Sequence, residues 1–351
     1  MWPLSGIHAC QATRLPGGTR VRPLLSVPIV LLLVPGWSGE KRLDLPRLPA
    51  RLWVRPVSLD AQDPARRRVS RLTWLGGWQL SGSDPAFGGY SAIATDGRRF
   101  TLLGDGGNWL RFSFDGRRIG SAASGALPGG PGTGWDKRDR DSESLAIDPA
   151  SGAAWVGFEY HNMIGRFTPG LAKITALRRV PEMRRWPRNG GAESLVRLPD
   201  GRFLALAEAK KGARGKGRQG LVFAGDPTRP GPSFAFTYLP PTGYEPSDAT
   251  LLPDGRLIVL NRAFRLPYSF PVIVTEIPAG AVRPGAIVRP TEVARLEAPI
   301  ISDNYEGVAA TREGSDTILW IVSDDNQSRL QRTLLLKFRL DPPSTKARAL
   351  K

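Results

Sequence analysis

The chain of 351 residues holds a single cysteine, Cys10, and two histidines, His8 and His161. One thiol excludes a disulfide framework and a thiolate-rich zinc centre. Scarce histidine leaves His161 as the one imidazole available past the N-terminal segment, so any Ser-His-Asp mechanism must use it. Its setting, F-E-Y-H-N, reads first as that of a packed strand or turn residue and second as that of a substrate-binding group. There is no G-x-S-x-G elbow and no H-E-x-x-H helix, and G-A-R-G-K-G at 212–217 has glycine where a phosphate-binding loop needs Ser or Thr. Long helical patterns are also missing. With 40 glycines, 32 prolines and 41% hydrophobic residues, the composition is that of a turn-rich all-β protein with enough apolar material for a core.

The first 38 residues carry no acid and three arginines, Arg14, Arg20 and Arg22, followed by an apolar run from Leu24 to Val34 that ends in P-G-W-S-G. That run is short for a bilayer span and has the layout of a secretory signal with cleavage after Ser38. A start near Val21 would give this signal an ordinary length. The expected divisions are a signal at 1–38, a lead at 39–68, a repeat domain at 69–341 and a tail at 342–351. Cys10 would leave with the signal. The expected product is periplasmic or secreted, monomeric, not inserted in a membrane, and held by packing without disulfides.

What the chain does have is a repeat. D-S-E-S-L-A-I at 141–147, G-A-E-S-L-V-R-L-P-D-G at 191–201, P-S-D-A-T-L-L-P-D-G at 246–255 and N-Y-E-G-V-A-A at 304–310 each open on an acid and run into a strand pattern. The anchors Glu143, Glu193, Asp248 and Glu306 are 50, 55 and 58 residues apart, which is a propeller-blade period. A further copy begins at Ser91. Each copy passes through an Asp-Gly or Ser-Gly turn into an apolar strand with a polar end: Asp105, Glu159, Glu208, Asn261 with Arg262, and Asp324 with Asp325. In an antiparallel hairpin the first acid and the last lie at the same end, so in a propeller they would ring one mouth of the channel. Five hairpins are visible, and length divided by period allows five or six four-stranded blades. The last copy lacks its outer strand, and the unmatched segment at 69–76 can supply it, closing the ring between N- and C-terminal strands.

The formal charge of +17 falls to +14 once the first 38 residues are discounted. Basic clusters at Arg66–Arg68, at Arg178 to Arg188 and between Lys210 and Arg218 favour an anionic partner. Net charge alone speaks for nucleic acid, and no aromatic interleaving supports it. Asp139, Asp141 and Glu143 alternate like a calcium loop, but Ser144 and Ala150 replace its glycine and closing glutamate, which excludes a calcium hand. If four carboxylates converge to ~6 Å, each pair repels by ~3 kcal/mol at an effective dielectric of about 20. Some must bind protons, or a cation must join them. Oxygen donors without His or Cys select calcium first, or magnesium. The candidate metal ligands are Asp105, Asp141, Glu159, Glu208 and Asp324; Glu143, Glu193, Asp248 and Glu306 are candidate catalytic carboxylates. Arg262 and Arg98 are candidates for holding a substrate anion. The competing role for the same acids is to bond backbone amides and stitch neighbouring blades together.

At these motifs, from D-S-E-S-L-A-I-D through A-E-S-L-V-R-L-P-D-G-R-F-L-A-L-A-E and S-D-A-T-L-L-P-D-G-R-L-I-V-L-N-R to D-N-Y-E-G-V-A-A and L-W-I-V-S-D-D-N, the chain resembles the phytase-like family of exported bacterial proteins. The resemblance spans roughly residues 75–340. It implies a propeller-like fold and hydrolysis of a small anionic ester or phosphate ester, with Glu143, Glu193, Asp248 and Glu306 at the matching acidic positions. A departure occurs at G-D-G-G-N, 104–108, where relatives often carry Arg after the Asp. The alternative is a non-catalytic periplasmic propeller that binds an anionic glycan, lipid or protein.

Overall fold

In the computed structural model the described residues are 51–343. The expected signal, Cys10, the start of the lead and most of the tail lie outside them. The chain begins with β1 (Leu52–Pro56), β2 (Arg68–Val69) and β3 (Leu72–Gly82), then runs through consecutive antiparallel sheets. Blade one is β4 (Tyr90–Thr95), β5 (Arg99–Gly104), β6 (Asn108–Phe114) and β7 (Ile119–Ala126). Blade two is β8 (Ser142–Ile147), β9 (Ala154–Phe158), β10 (Met163–Phe167) and β11 (Ile174–Arg179). Blade three is β12 (Ala192–Arg197), β13 (Phe203–Lys211), β14 (Arg218–Phe223) and β15 (Ser233–Tyr238). Blade four is β16 (Glu245–Leu251), β17 (Leu257–Arg262), β18 (Val272–Ile277) and, after the short β19 (Ile287–Val288) that pairs in parallel with β15, β20 (Thr291–Leu296). Blade five is β21 (Tyr305–Glu313), β22 (Asp316–Ser323) and β23 (Leu334–Leu340), completed by β3.

The molecule is therefore a five-bladed β-propeller, and the choice between five and six is settled at five. The missing outer strand of blade five is the N-terminal β3, paired antiparallel with β23 from Leu340↔Leu72 to Leu334↔Gln79. β1 extends the same sheet. Among the described residues no helix is long and apolar enough to cross a membrane.

Burial explains the strand types. β6 alternates buried and part-exposed residues, as a sheet with one covered face should, whereas β9 is buried throughout because it is sandwiched between neighbouring blades. Apolar side chains collect in five clusters, each spanning a blade boundary. The boundary between blades five and one is as well packed as the others. Trp320 meets Phe100 edge-on at 4.8 Å, Phe100 stacks on Phe112 at 5.1 Å, and Trp78 meets Phe114 at 4.9 Å. Each such ring stabilises by roughly 1.5–3 kcal/mol on burial.

The four turns read as Asp-Gly or Ser-Gly punctuation join the first two strands of blades one to four at one end of the ring. Gly97, Gly152, Gly201 and Gly255 sit there at φ of +93°, +71°, +87° and +85°, a region costly for residues with a Cβ. The aspartates beside them, Asp96, Asp148, Asp200 and Asp254, turn inward on nearby backbone amides. The other end of every hairpin is therefore free to carry the site.

Candidate functional site

At that other end each inner strand begins with the same irregularity. The ladder skips one residue in every blade: Ser91, Glu143, Glu193, Ser247 and Glu306. A bulge of this kind leaves the extra residue unpaired and re-aims its side chain, a device common beside active sites. Blade four corrects the expected alignment. Ser247 is the bulged residue, and Asp248 falls one step later, at the position of Ser144 and Ser194. A second ring follows the second strands: Asp105, Glu159, Glu208, Arg262 and Asp324 each come directly after the residue paired just before the bulge. Two rings of five thus hold seven carboxylates, two serines and one arginine.

The two roles weighed for the acids are divided among them. Asp248 is a stitch: its carboxylate accepts from Ala249 N at 2.7 Å and from Val308 N of blade five at 2.8 Å. Asp325 is another, accepting from Gly89 N at 2.9 Å, Gln327 N at 2.9 Å and Thr333 Oγ1 at 2.7 Å. Asn261 is fully buried and holds Tyr238 Oη at 2.8 Å. Asp324 Oδ1 accepts from Asn326 N at 2.6 Å. Glu159 does both jobs, accepting from Gly190 N and, at 2.9 Å, Gly191 N while belonging to the carboxylate cluster.

Among the described residues two groups of oxygen donors could hold a metal ion. Ligand atoms of Asp141, Glu143 and Glu159 lie within 4.8 Å of one another, as do those of Glu159, Glu193 and Glu208, so the groups share Glu159 and join blades two and three. The donor set fits a hard cation, being carboxylate oxygen only. Burial pushes the Glu143 and Glu193 carboxyls well above the usual range, and neighbouring carboxylates push the same way. Asp141 rises to about 8, first by burial, then by Glu159 and Asp105. Asp324 is also well raised by burial and by Glu306 and Asp105. These groups are crowded enough to need either protons or a cation.

Two cationic side chains flank the cluster. Lys137, from the short 3₁₀ turn Lys137–Arg140, pairs with Asp105, and its own pKa is held high by that carboxylate together with Glu143 and Asp141, against the effect of burial. Arg262 bridges blades three and five, bonding Glu208 Oε1 at 3.0 Å, Asn304 Oδ1 at 2.6 Å and Glu306 Oε1. Asn304 Nδ2 donates to Glu306 Oε1 at 2.9 Å. Asp105 and Glu208 are raised by burial, offset in part by their cationic partners Lys137 and Arg262. Sequence reasoning passes over Lys137 and Asn304. The signal for Asn304 is its place two residues before Glu306.

One candidate is not brought to this mouth, and a second stands at its edge. Arg98 is exposed on the turn after β4, at the opposite end of the hairpin, so it cannot hold an anion beside the carboxylates. His161 lies on the rim with Nε2 3.6 Å from Asp139 Oδ1, and burial together with Arg179 and Arg188 lowers its pKa despite that carboxylate. Its charged and titratable neighbours belong to the rim rather than to the cluster.

Two cavities bracket the channel. The larger, of about 950 Å³, opens at the Asp-Gly end between the inner strands, walled by residues such as Ala94, Ala146, Leu195 and Ala309. It holds none of the clustered acids. The smaller, of about 470 Å³, adjoins Glu208, Arg262 and Asn304. Of the clustered carboxylates, Glu208 lines the smaller one.

A five-bladed propeller whose mouth gathers buried carboxylates on repeated bulges defines a class of protein with a candidate hard-cation site. The family follows from the sequence itself: the model of the phytase-like family, described as esterase-like activity of phytase, matches residues 85–327, and the chain belongs to that family. No curated protein is matched by sequence. Among solved structures, the major Malassezia sympodialis allergen Mala s 1 is similar at 13% identity, with 78% of this chain and 91% of that one covered and a TM-score of 0.40. A putative 6-phosphogluconolactonase from Bacteroides fragilis NCTC 9343 shows 12% identity, 82% coverage of each chain and a TM-score of 0.36. A luciferin-regenerating enzyme shows 12% identity, coverage of 87% and 95%, and a TM-score of 0.36.

Proposed function

We propose that the chain is an exported, monomeric hydrolase of an ester or phosphate ester, working with a divalent cation, calcium by preference, at the carboxylate mouth. The observation that supports it most is the pair of carboxylate groups sharing the buried Glu159, with oxygen donors only and with protons or a cation required to hold them together. Asp141, Glu143, Glu159, Glu193 and Glu208 would hold the cation. When bound, it would polarise an ester or phosphoryl oxygen and lower the pKa of a water.

The chain's own groups supply the rest. In the cation-free protein the Asp141 carboxyl is pushed up to about 8, so it would give up its proton on joining the cation and serve there as a ligand. Glu306 is fixed by Asn304 and Arg262, and part of the Arg262 charge, shared between Glu208 and Glu306, would face a developing negative charge. Export rests on the pattern of residues 1–38 and on the family.

The test uses residues 39–351 stripped with chelator. Calcium should raise Tm and restore hydrolysis of phosphate or carboxylate esters, and Glu193→Gln with Glu306→Gln should abolish turnover while the far-UV spectrum stays that of the parent. Unchanged turnover in the double variant would remove the mechanism. Salt-sensitive binding of an anionic glycan or lipid, without turnover, would move the reading to a binding propeller.

A further inference from the structure

The 470 Å³ cleft beside Arg262 has a wall that the carboxylate chemistry does not use. Between β17 and β18 the chain folds into a small hairpin, with Ala263 N bonded to Pro271 O at 3.0 Å and Arg265 and Ser269 exchanging backbone bonds at 2.8 and 2.9 Å. Three aromatic rings project from it as one cluster. Phe264 contacts Tyr268 at 6.3 Å and Phe270 at 5.3 Å, and Tyr268 contacts Phe270 at 5.3 Å. All three line the cleft, yet Phe264 is 55% exposed. The hairpin is anchored on both sides, by Tyr268 Oη to Gln331 Oε1 at 2.9 Å and by Arg265 to Tyr244 Oη at 2.8 Å.

Gln331 is 8% exposed and lines the same cleft, and its Nε2 has no hydrogen-bond partner. Its oxygen is occupied by Tyr268 and, at 3.1 Å, by Asn326 Nδ2. A buried amide donor without an acceptor is costly, and on a cleft wall it points to a ligand that brings one. Charge sets the other limit. Among the residues lining the cleft Arg262 is the one cation, both of its arms are bonded to carboxylates, and Glu208 and Glu245 also line the space.

We infer that this cleft seats the apolar part of the substrate, an ester whose acyl or alcohol portion is aromatic, lying against Phe264, Tyr268 and Phe270 with a carbonyl-type acceptor reaching Gln331. The inference rests on the hydrolase reading and narrows it: a polyphosphorylated ligand meets one committed arginine and a field of carboxylates, and is a poor occupant.

The experiment compares benzyl acetate, whose leaving group matches ethanol in basicity, with ethyl acetate and inositol hexakisphosphate as substrates of the calcium-loaded protein, and follows binding of acetanilide by saturation-transfer NMR. Benzyl acetate should be preferred, and Phe264→Ala, at an exposed position that leaves the core intact, should raise its KM up to roughly tenfold, the worth of an aromatic contact. Gln331→Leu should weaken acetanilide, which offers a ring and a carbonyl, while Gln331→Glu, with an acceptor in place of the donor, should not rescue it. Hydrolysis of both acetates with equal efficiency and no response to Phe264→Ala would overturn the cleft assignment and leave the hydrolase reading standing. Preference for inositol hexakisphosphate would overturn it as well. No hydrolysis of any ester, with acetanilide bound by the parent and lost in Phe264→Ala, would support the cleft and sink the hydrolase reading, whereas no hydrolysis and no binding would sink both.

Discussion

Replacing Asp141 by asparagine should stabilise the cation-free protein at pH 8 and leave it nearly unchanged at pH 4. In the folded chain the Asp141 carboxyl is raised to about 8 from an ordinary 3.8, chiefly by burial and then by Glu159 and Asp105. Below pH 4 it is protonated whether the chain is folded or not, so it costs nothing. As pH rises toward 8 the unfolded chain gives up this proton while the folded chain keeps it, and stability drains away across that window. At 1.36 kcal/mol per pH unit over roughly four units, the loss approaches ~5 kcal/mol. Because the repulsion is shared with neighbours, Asp141→Asn should recover ~2–5 kcal/mol at pH 8, or roughly 4–10 °C in Tm. The assay is thermal unfolding of chelator-treated parent and variant from pH 4 to 8. Calcium added at pH 8 should lift the parent, releasing protons as it binds, and should lift the variant less. A variant that loses the same stability at both ends of the range would refute the reasoning, since the side chain would then be a hydrogen-bonding strut and not a crowded acid.

Three further substitutions separate the roles of the polar residues. Asp248→Ala leaves the Val308 amide of blade five without its acceptor and should cost ~1–3 kcal/mol in urea unfolding, with the calcium response intact. Arg262→Met strands Glu208 and Glu306; we expect a loss of ~3–5 kcal/mol that calcium partly restores, read by Tm with and without the ion. Trp320→Ala empties the packed boundary between blades five and one and should cost ~3–5 kcal/mol by equilibrium denaturation, at either pH and with or without calcium.

The architecture was legible because its signals are short-range. Alternating strands, glycine turns and a period near 55 residues are written into contiguous stretches, and the lone unpaired segment at 69–76 pointed to the way the ring closes. The site was legible only in part. Glu143, Glu193 and Glu306 share a bulge, but P-S-D-A-T offers an acid one residue off that register, and spacing alone cannot tell a bulged residue from the next one. Only the pairing of Pro246 with Asn261 and of Asp248 with Leu260 shows that Ser247 takes the place. Arg98 was misplaced although its position directly after the Asp96-Gly97 turn marks the end of the hairpin away from the acids. The aromatic hairpin at 263–271 lies between two clear strands and breaks no pattern, so its significance emerges only from the cleft it walls.

Ring closure by β3 has a mechanical meaning. Every boundary between blades is crossed by covalent chain, and the single non-covalent seam runs inside a sheet, between β3 and β23. Tension applied to the two flanks of the propeller would reach that seam at one edge, because Leu72, where β3 begins, faces Leu340, where β23 stops. Such a geometry is peeled pair by pair rather than sheared all at once. The molecule is reinforced at that edge: Asp341 takes a hydrogen bond from Thr73 Oγ1 at 2.7 Å and ion pairs from Arg68 and Arg339 at 2.9 and 3.1 Å, while its backbone N–H binds Arg71 O at 2.8 Å. Asp341 is thus the latch of a zipper, and cutting it would let the ring fray from its rim without disturbing a single residue of the mouth.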